Sequence, residues 1–494
     1  MKIKSLLAGF LVAGFAAAAS AQTYVHIVGS TAFRAGVQQS IVDALTNSGG
    51  TAPTGVYWGS STYKKCSGAA VSGTYNGQWV IVETYWTGSL SGDVDLSVGN
   101  QVTKFISFNN NGGPALTSGS LAYIASGQVY ESGTTPDAAM SDSDYQSVSD
   151  ELKDANSTLT GYTSGAALAS AVNNAGLVDS GSNASAAGCV AVVPFRWILG
   201  VAGSQGEVAS NITQQAARDL ATKGFVQFSE LSGSTSDTTN FALLVGRNED
   251  SGTRIDSLAE SQAEGTTYDF PPIQVLANFN NNATTESALT SGDNGYLTGG
   301  VGSSIGSLTK FPANNTLNTE PLINWSAYGH SGYVSGGDVA NVLSSSNNVL
   351  LSGTSLGSGN TAILSSGKSA FFTAGTSHVS VIGYVGISDA ATAIGNGAIA
   401  LSYNGVPYSA TAVENGQYTV WGYEHMYYLF TATPGTGGTV QTTLDGIADT
   451  IYASDADIDA SDTSHGGGSS GGILYGSMNV KRTPLEGGIV SPNK

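Results

Sequence analysis

The chain has 494 residues, 17 basic and 36 acidic, for a formal net charge of −19. That balance repels nucleic acid and anionic membrane surfaces, and it repels small anions at long range, so a bound anion would have to be held by local dipoles. Charged residues are only 11% against roughly 25% in an ordinary globular domain, while 66 glycines beside 40% hydrophobic content describe a loop-rich chain that still builds a core.

The N-terminus reads as a cleavable secretory leader over residues 1–21. Lys2 and Lys4 precede an apolar run over residues 6–18, and Ala19-Ser20-Ala21 is the cleavage site. The run is too short for a membrane span, and Gln22 in place of a cysteine predicts no lipid anchor. A periplasmic or secreted location follows. In an oxidising compartment one disulfide, Cys66 to Cys189, is the default for two cysteines.

Residues 24–28, Tyr-Val-His-Ile-Val, predict a strand with His26 as a core or edge residue. Gly29-Ser30-Thr31 follow, then Phe33, Val37, Ile41, Ala44 and Leu45 mark one face of a helix. A strand, a small-residue loop and a helix N-terminus make an anion site, because free backbone N–H groups and the helix dipole converge there. Arg34 is read as a solvated first-turn side chain rather than a charge near the ligand. Residues 46–77 are Gly-, Ser- and Thr-rich and suggest an insertion. Residues 78–86 are a strong strand followed by Thr87-Gly88-Ser89, and residues 143–188 suggest a helical insertion plus loop.

The sharpest pattern is residues 241–254. The apolar run 241–245 predicts a buried strand, and Ile255, Leu258 and Ala259 recur at helical spacing, with Ser251 as N-cap. Arg247 can fork two N–H groups onto one anion, and Ser251-Gly252-Thr253 add hydroxyl and backbone donors. Elsewhere, Glu424 and His425 match no metal spacing. Asp455, Asp457, Asp459 and Asp462 lack the glycine and glutamate of a calcium loop, and Gly353-Thr-Ser-Leu-Gly357 is a chance match to a nucleophile elbow. No metal, cofactor or catalytic residue is predicted.

Arg247, three residues, then Ser251-Gly252-Thr253 resembles the anion loop of the periplasmic phosphate-binding proteins of ABC uptake systems. Gly29 to Phe33, Gly88-Ser89, and Ile382-Gly-Tyr-Val385 are similar to other segments of that family in the same order. The resemblance implies an α/β, two-lobed type 2 periplasmic-binding-protein fold with a hinge, an interlobe cleft and Gly/Ser-rich insertions. It implies lobe I over 22–189, lobe II over 190–380, and a return with C-terminal extension over 381–494, with a first crossing near residues 190–195. It nominates Ser30, Thr31, Ala32, Phe33, Ser89, Asp137, Arg247, Ser251, Gly252 and Thr253 as ligands of inorganic phosphate or a similar tetrahedral oxyanion. Residues 134–142 resemble the family segment in which an Asp precedes a small-residue turn and a polar helix start, which nominates Asp137; such a carboxylate accepts the proton that phosphate keeps and sulfate lacks. A monomer working with an ABC permease, and not an enzyme, is implied. The alternative is a secreted surface or matrix protein on the same fold, suggested by the composition and the insertions.

Overall fold

The structure, a computed structural model, describes residues 22–108, 116–117, 119–157, 159–202, 207–262, 274–279, 305–310, 323, 332–345, 349–350, 378–430, 438–453, 471–482 and 486–493. The leader, the Gly353 pattern and the run from Asp455 to Asp462 lie outside these residues.

The strands of the main sheet are short apolar runs, and six come from the first third of the chain. They are β1 (Thr23–Gly29), β2 (Thr54–Trp58), β3 (Gly68–Tyr75), β4 (Gln78–Trp86), β5 (Leu121–Ile124) and β6 (Ala138–Ser141). Five follow: β7 (Ala191–Leu199), β8 (Phe225–Gln227), β9 (Phe241–Val245), β10 (His378–Gly386) and β11 (Trp421–Leu429). They run across the sheet in the order β8-β9-β10-β7-β11-β6-β1-β4-β3-β2-β5.

Two strands in the middle divide this sheet into lobes. Residues Trp421 to Glu424 of β11 pair antiparallel with the start of β7, and the next three residues of β11 pair with β6. The second half of β7 pairs instead with β10. β7 and β11 are therefore the two crossing segments of a two-lobed α/β architecture. Within each lobe the central pairs are parallel, β1 with β4 and β6, and β9 with β10. The outer pairs β2 with β3, β3 with β4 and β8 with β9 are antiparallel. The sheet is therefore mixed, parallel at the centre of each lobe and antiparallel at its outer and crossing strands.

Residues 46–77, read as an insertion, carry regular structure. They include β2 and β3, which widen the sheet of the first lobe, with Val56, Ala69, Ala70 and Val71 buried. Small residues and glycines masked their alternation in the sequence.

The helices that matter for function are α1 (Arg34–Gly49), α2 (Ser89–Val98), α3 (Tyr145–Leu152), α4 (Gly252–Gln262) and α5 (Gly336–Leu343). α1 buries Val37, Ile41, Ala44 and Leu45 on one face and ends at Gly50, whose φ of 68° suits a left-handed C-cap. α2 buries its residues from Ser89 to Leu96, because it packs on β1, β6 and α3 of its own lobe. Gly92 allows the close approach to β1: a Cβ there would stand 2.7 Å from the Gly29 Cα.

The predicted disulfide is absent; Cys66 and Cys189 are both free and buried. Cys66 precedes β3 and Cys189 precedes β7, and five strand spacings separate those strands. At about 4.8 Å per spacing this is roughly 24 Å, whereas a disulfide needs Cα atoms within about 7 Å. Cys66 instead accepts a 3.2 Å hydrogen bond from Gln38 Nε2. Burial pushes its thiol up to about 12, and that of Cys189 well above the usual range, so both are inert core thiols.

Candidate functional site

Parallel strands bring their C-terminal ends to one edge, where ligands of open α/β sheets collect. Gly29 at the end of β1 is level with Trp86 of β4 and Met140 of β6. The loops leaving that edge carry Ser30 and Thr31, Ser89, and Asp142. From the second lobe, β9 ends at Val245 and delivers Arg247 and the start of α4 to the same place.

The N-termini of α2 and α4 converge on Asp142. Ser89 Oγ donates to Asp142 Oδ1, and Thr253 Oγ1 donates to Oδ2 at 2.9 Å. Gly252 sits so close that a Cβ would meet Asp142 Oδ1 at 2.1 Å and Ser89 Oγ at 2.6 Å. Any larger residue would push the lobes apart. Ser251 caps α4 as its sequence position predicts, its Oγ accepting from Arg254 N at 3.4 Å. A second carboxylate crosses the other way: Asp250 Oδ1 accepts from Ser91 N at 2.6 Å and from Ser91 Oγ at 2.5 Å, on the first turn of α2. Burial raises Asp250 to about 6, against the Ser91 bonds and the Arg247 charge.

Arg247 is buried and joins the lobes. Its Nε donates to the Tyr333 carbonyl at 3.2 Å, and Nη2 donates to the Val334 carbonyl at 2.8 Å and to Thr31 Oγ1 at 3.3 Å. Nη1 makes no hydrogen bond to a described residue. Burial lowers its pKa, while Asp142, Asp389 and Asp250 work to keep it charged. A further interlobe clamp is the buried pair of Arg254 on α4 and Glu151 on α3, at 2.5 Å.

Of the sequence-predicted residues, Thr31, Ser89, Arg247, Ser251, Gly252 and Thr253 are brought together. Ser30 is buried beside them, but its hydroxyl accepts from Ala32 N at 3.1 Å within its own loop. Phe33 is fully buried in the core, and Ala32 is half-buried next to it. Asp137 is elsewhere. It stands at the opposite end of β6, five residues and roughly 16 Å of strand from Asp142, where its carboxylate accepts from His26 N at 2.8 Å and faces His26 Nδ1 at 3.1 Å. Asp142 takes the place proposed for it. The clue was available, since residues 138–141 are small and apolar and Asp142 is the first acid after them. A run of Ala-Ala-Met-Ser is a weak strand signal, so the end of β6 is hard to place from the sequence.

His26 shows what Asp137 does instead. Burial alone would lower its pKa, but the carboxylates of Asp137 and Glu83, at 3.1 and 3.4 Å, outweigh burial and lift it to about 9. A histidine raised in the folded state stabilises fully below its unfolded pKa of about 6.5, and that stability is lost as pH rises through 9. Asp137 is about a third exposed, so a contribution of about 1–2 kcal/mol is expected after screening. Chemical denaturation at pH 6 and pH 9 should show His26→Gln losing part of the wild-type fall in stability. His425, also raised to about 9 against burial by Asp179, accounts for another part. An identical fall in both proteins would remove His26 from this role.

Among the described residues no group of three or more His, Cys, Asp or Glu side chains is arranged to hold a metal ion, and no helix is long and apolar enough to cross a membrane. Asp93, Glu249, Asp256 and Glu424 are buried near the cleft, and burial raises each well above the carboxylate range.

No family model matches the chain, and no curated protein matches it. Solved structures do. One is a phosphate ABC transporter substrate-binding protein of Clostridium perfringens with bound phosphate, 13% identical over 87% of this chain and 94% of that one, with a TM-score of 0.36. Others are PstS from Borrelia burgdorferi (11% identical, 87% and 93% covered, TM-score 0.29) and an ABC-type phosphate transport receptor from Vibrio cholerae (9% identical, 87% and 97% covered, TM-score 0.33). These are distant likenesses. The reading of the site stands on its own residues.

Proposed function

We propose that this chain is an exported solute-binding protein that holds phosphate, or a similar tetrahedral oxyanion, between its lobes. One observation carries the reading: two helix N-termini from different lobes meet at the strand ends, with Ser89, Thr253 and Arg247 between them. The aligned dipoles at such ends favour anions; on α2 the Leu90 and Ser91 N–H groups already bond Asp250, so the dipole and the side-chain donors carry the attraction there. In a protein of net charge −19, this buried, local device is what can hold one. Asp142 supports phosphate within that class, because a carboxylate flanked by two hydroxyls accepts a P–OH proton and repels an anion that has none. The donors on the two lobes are complementary only when β7 and β11 bring them together, so hinge closure selects the bound form. The leader-like N-terminus supports export, and delivery to an ABC permease as a monomer belongs to the same proposal.

Calorimetry of the chain lacking residues 1–21 against phosphate, arsenate, molybdate and sulfate is the test. One phosphate per chain is expected, with arsenate close behind and sulfate much weaker. Absence of heat with all four would overturn the reading.

A further inference from the structure

Beside Arg247 the structure holds a cavity of 480 Å³ between the lobes. It falls within the roughly 300–1,000 Å³ of small-molecule sites and is several times what a single tetrahedral oxyanion fills. Its wall is basic. Arg34 at the start of α1, Lys65 and Lys104 all line it, with Val334, Ser335 and Asp338 from the second lobe opposite. None of the three cations forms a salt bridge with a described residue. Lys153, Lys223, Arg254 and Arg482 each have a carboxylate partner, whereas Lys64, Arg196, Arg218 and Lys481, like these three, form no salt bridge with a described residue. What sets Arg34, Lys65 and Lys104 apart is that they converge on one cavity in a chain where acids outnumber bases 36 to 17.

The cavity floor explains how they are held. Lys104 Nζ lies 5.6 Å from the centre of the Tyr85 ring, and Trp58 stacks on that ring at 6.3 Å with 14° between planes. A cation over an aromatic face is positioned without being neutralised. The half-buried Arg34 has its pKa lowered by burial and by Arg247, with Asp389 opposing. The cavity neighbours the oxyanion site: Val334, which lines it, accepts from Arg247 Nη2 through its carbonyl, and Thr31, which also accepts from Nη2, lies three residues before Arg34.

We propose that the ligand has two linked anionic groups, one phosphoryl group at Arg247, Ser89 and Thr253 and a second on Arg34, Lys65 and Lys104, as in a diphosphate. This rests on the oxyanion reading above and extends it from the ion to the ligand class. Asp338, the carboxylate of the wall, would then face any hydroxyl or protonated oxygen of the second group.

The probes are inorganic orthophosphate and inorganic pyrophosphate, titrated by calorimetry into wild type and the Lys65→Ala/Lys104→Ala double variant. Lys65 is exposed and Lys104 half-buried, so the variant should fold. Wild type is expected to bind pyrophosphate at least about tenfold more tightly than orthophosphate, a fold-change that one charge-assisted contact supplies. The double variant should lose that advantage and keep its orthophosphate affinity. Equal binding of the two anions by wild type, or equal weakening of both in the variant, overturns the proposal. Orthophosphate bound and pyrophosphate refused overturns it while leaving the oxyanion reading intact; pyrophosphate bound and orthophosphate refused supports the linked ligand and overturns only free phosphate as the occupant. Binding of neither ends both.

Discussion

Arg247→Ala is expected to weaken phosphate binding by at least tenfold, the largest loss of any single substitution at the cleft. The side chain contributes in two ways. Nη1 makes no hydrogen bond to a described residue and can donate to a ligand oxygen, and a hydrogen bond to a charged group is worth about 1.5–3 kcal/mol, or roughly 10- to 150-fold in affinity. Nε and Nη2 also tie the loop of the second lobe to Thr31 of the first. Truncation takes this donor from the half-buried Val334 carbonyl, while the Tyr333 carbonyl keeps its bond from Asn248 N, and the lost bonds cost roughly 1–3 kcal/mol of stability. Arg247→Lys separates the two effects. It keeps a positive charge and loses the planar fork, so it should recover part of the ligand affinity and little of the clamp. Calorimetry gives the affinity and a thermal melt gives the stability. Unchanged phosphate affinity in a folded Arg247→Ala protein would return this side chain to a purely structural role.

Asp142→Asn should collapse the discrimination between phosphate and sulfate. Both anions are tetrahedral and of similar size, so donors alone separate them poorly. A carboxylate fixed by Ser89 Oγ and by Thr253 Oγ1 at 2.9 Å accepts the proton that phosphate carries near neutral pH and repels the unprotonated competitor. The amide removes the charge and adds a donor for sulfate. A tenfold change in selectivity needs about 1.4 kcal/mol, a small demand on one buried contact. The titrations belong at pH 7.5, above the raised value of about 6 for Asp250, so that its ionisation does not vary between proteins. Asp137→Asn is the control. It should leave anion selectivity as it is and reduce the pH dependence of stability through His26. A strong phosphate preference surviving Asp142→Asn, or lost in Asp137→Asn, would reverse the assignment.

Local chemistry by itself determined several features. The β9 strand followed by Arg247, the Ser251 cap and α4 were legible because an apolar run, a capping residue and helical spacing all act within a few residues. The same holds for β1, its small-residue loop and α1, and for β4 running into Ser89.

Tertiary structure alone decided the rest. Whether Asp137 or Asp142 faces the cleft depends on which end of β6 meets the edge shared with β1, and that is set by strand register, to which periodicity within one segment is blind. Cys66 and Cys189 follow equally plausible rules for pairing, yet five intervening strand spacings keep them apart. Arg34, Lys65 and Lys104 are spread over 71 positions of sequence, and only the packing of α1 and the strands beside it turns three isolated charges into one wall. Arg247 is a ligand candidate in the sequence, whereas its bonds to Thr31, Tyr333 and Val334 exist only once two lobes close. Capping and periodicity are short-range forces written into neighbouring residues; register, burial and the meeting of charges are long-range outcomes that no neighbouring residues encode.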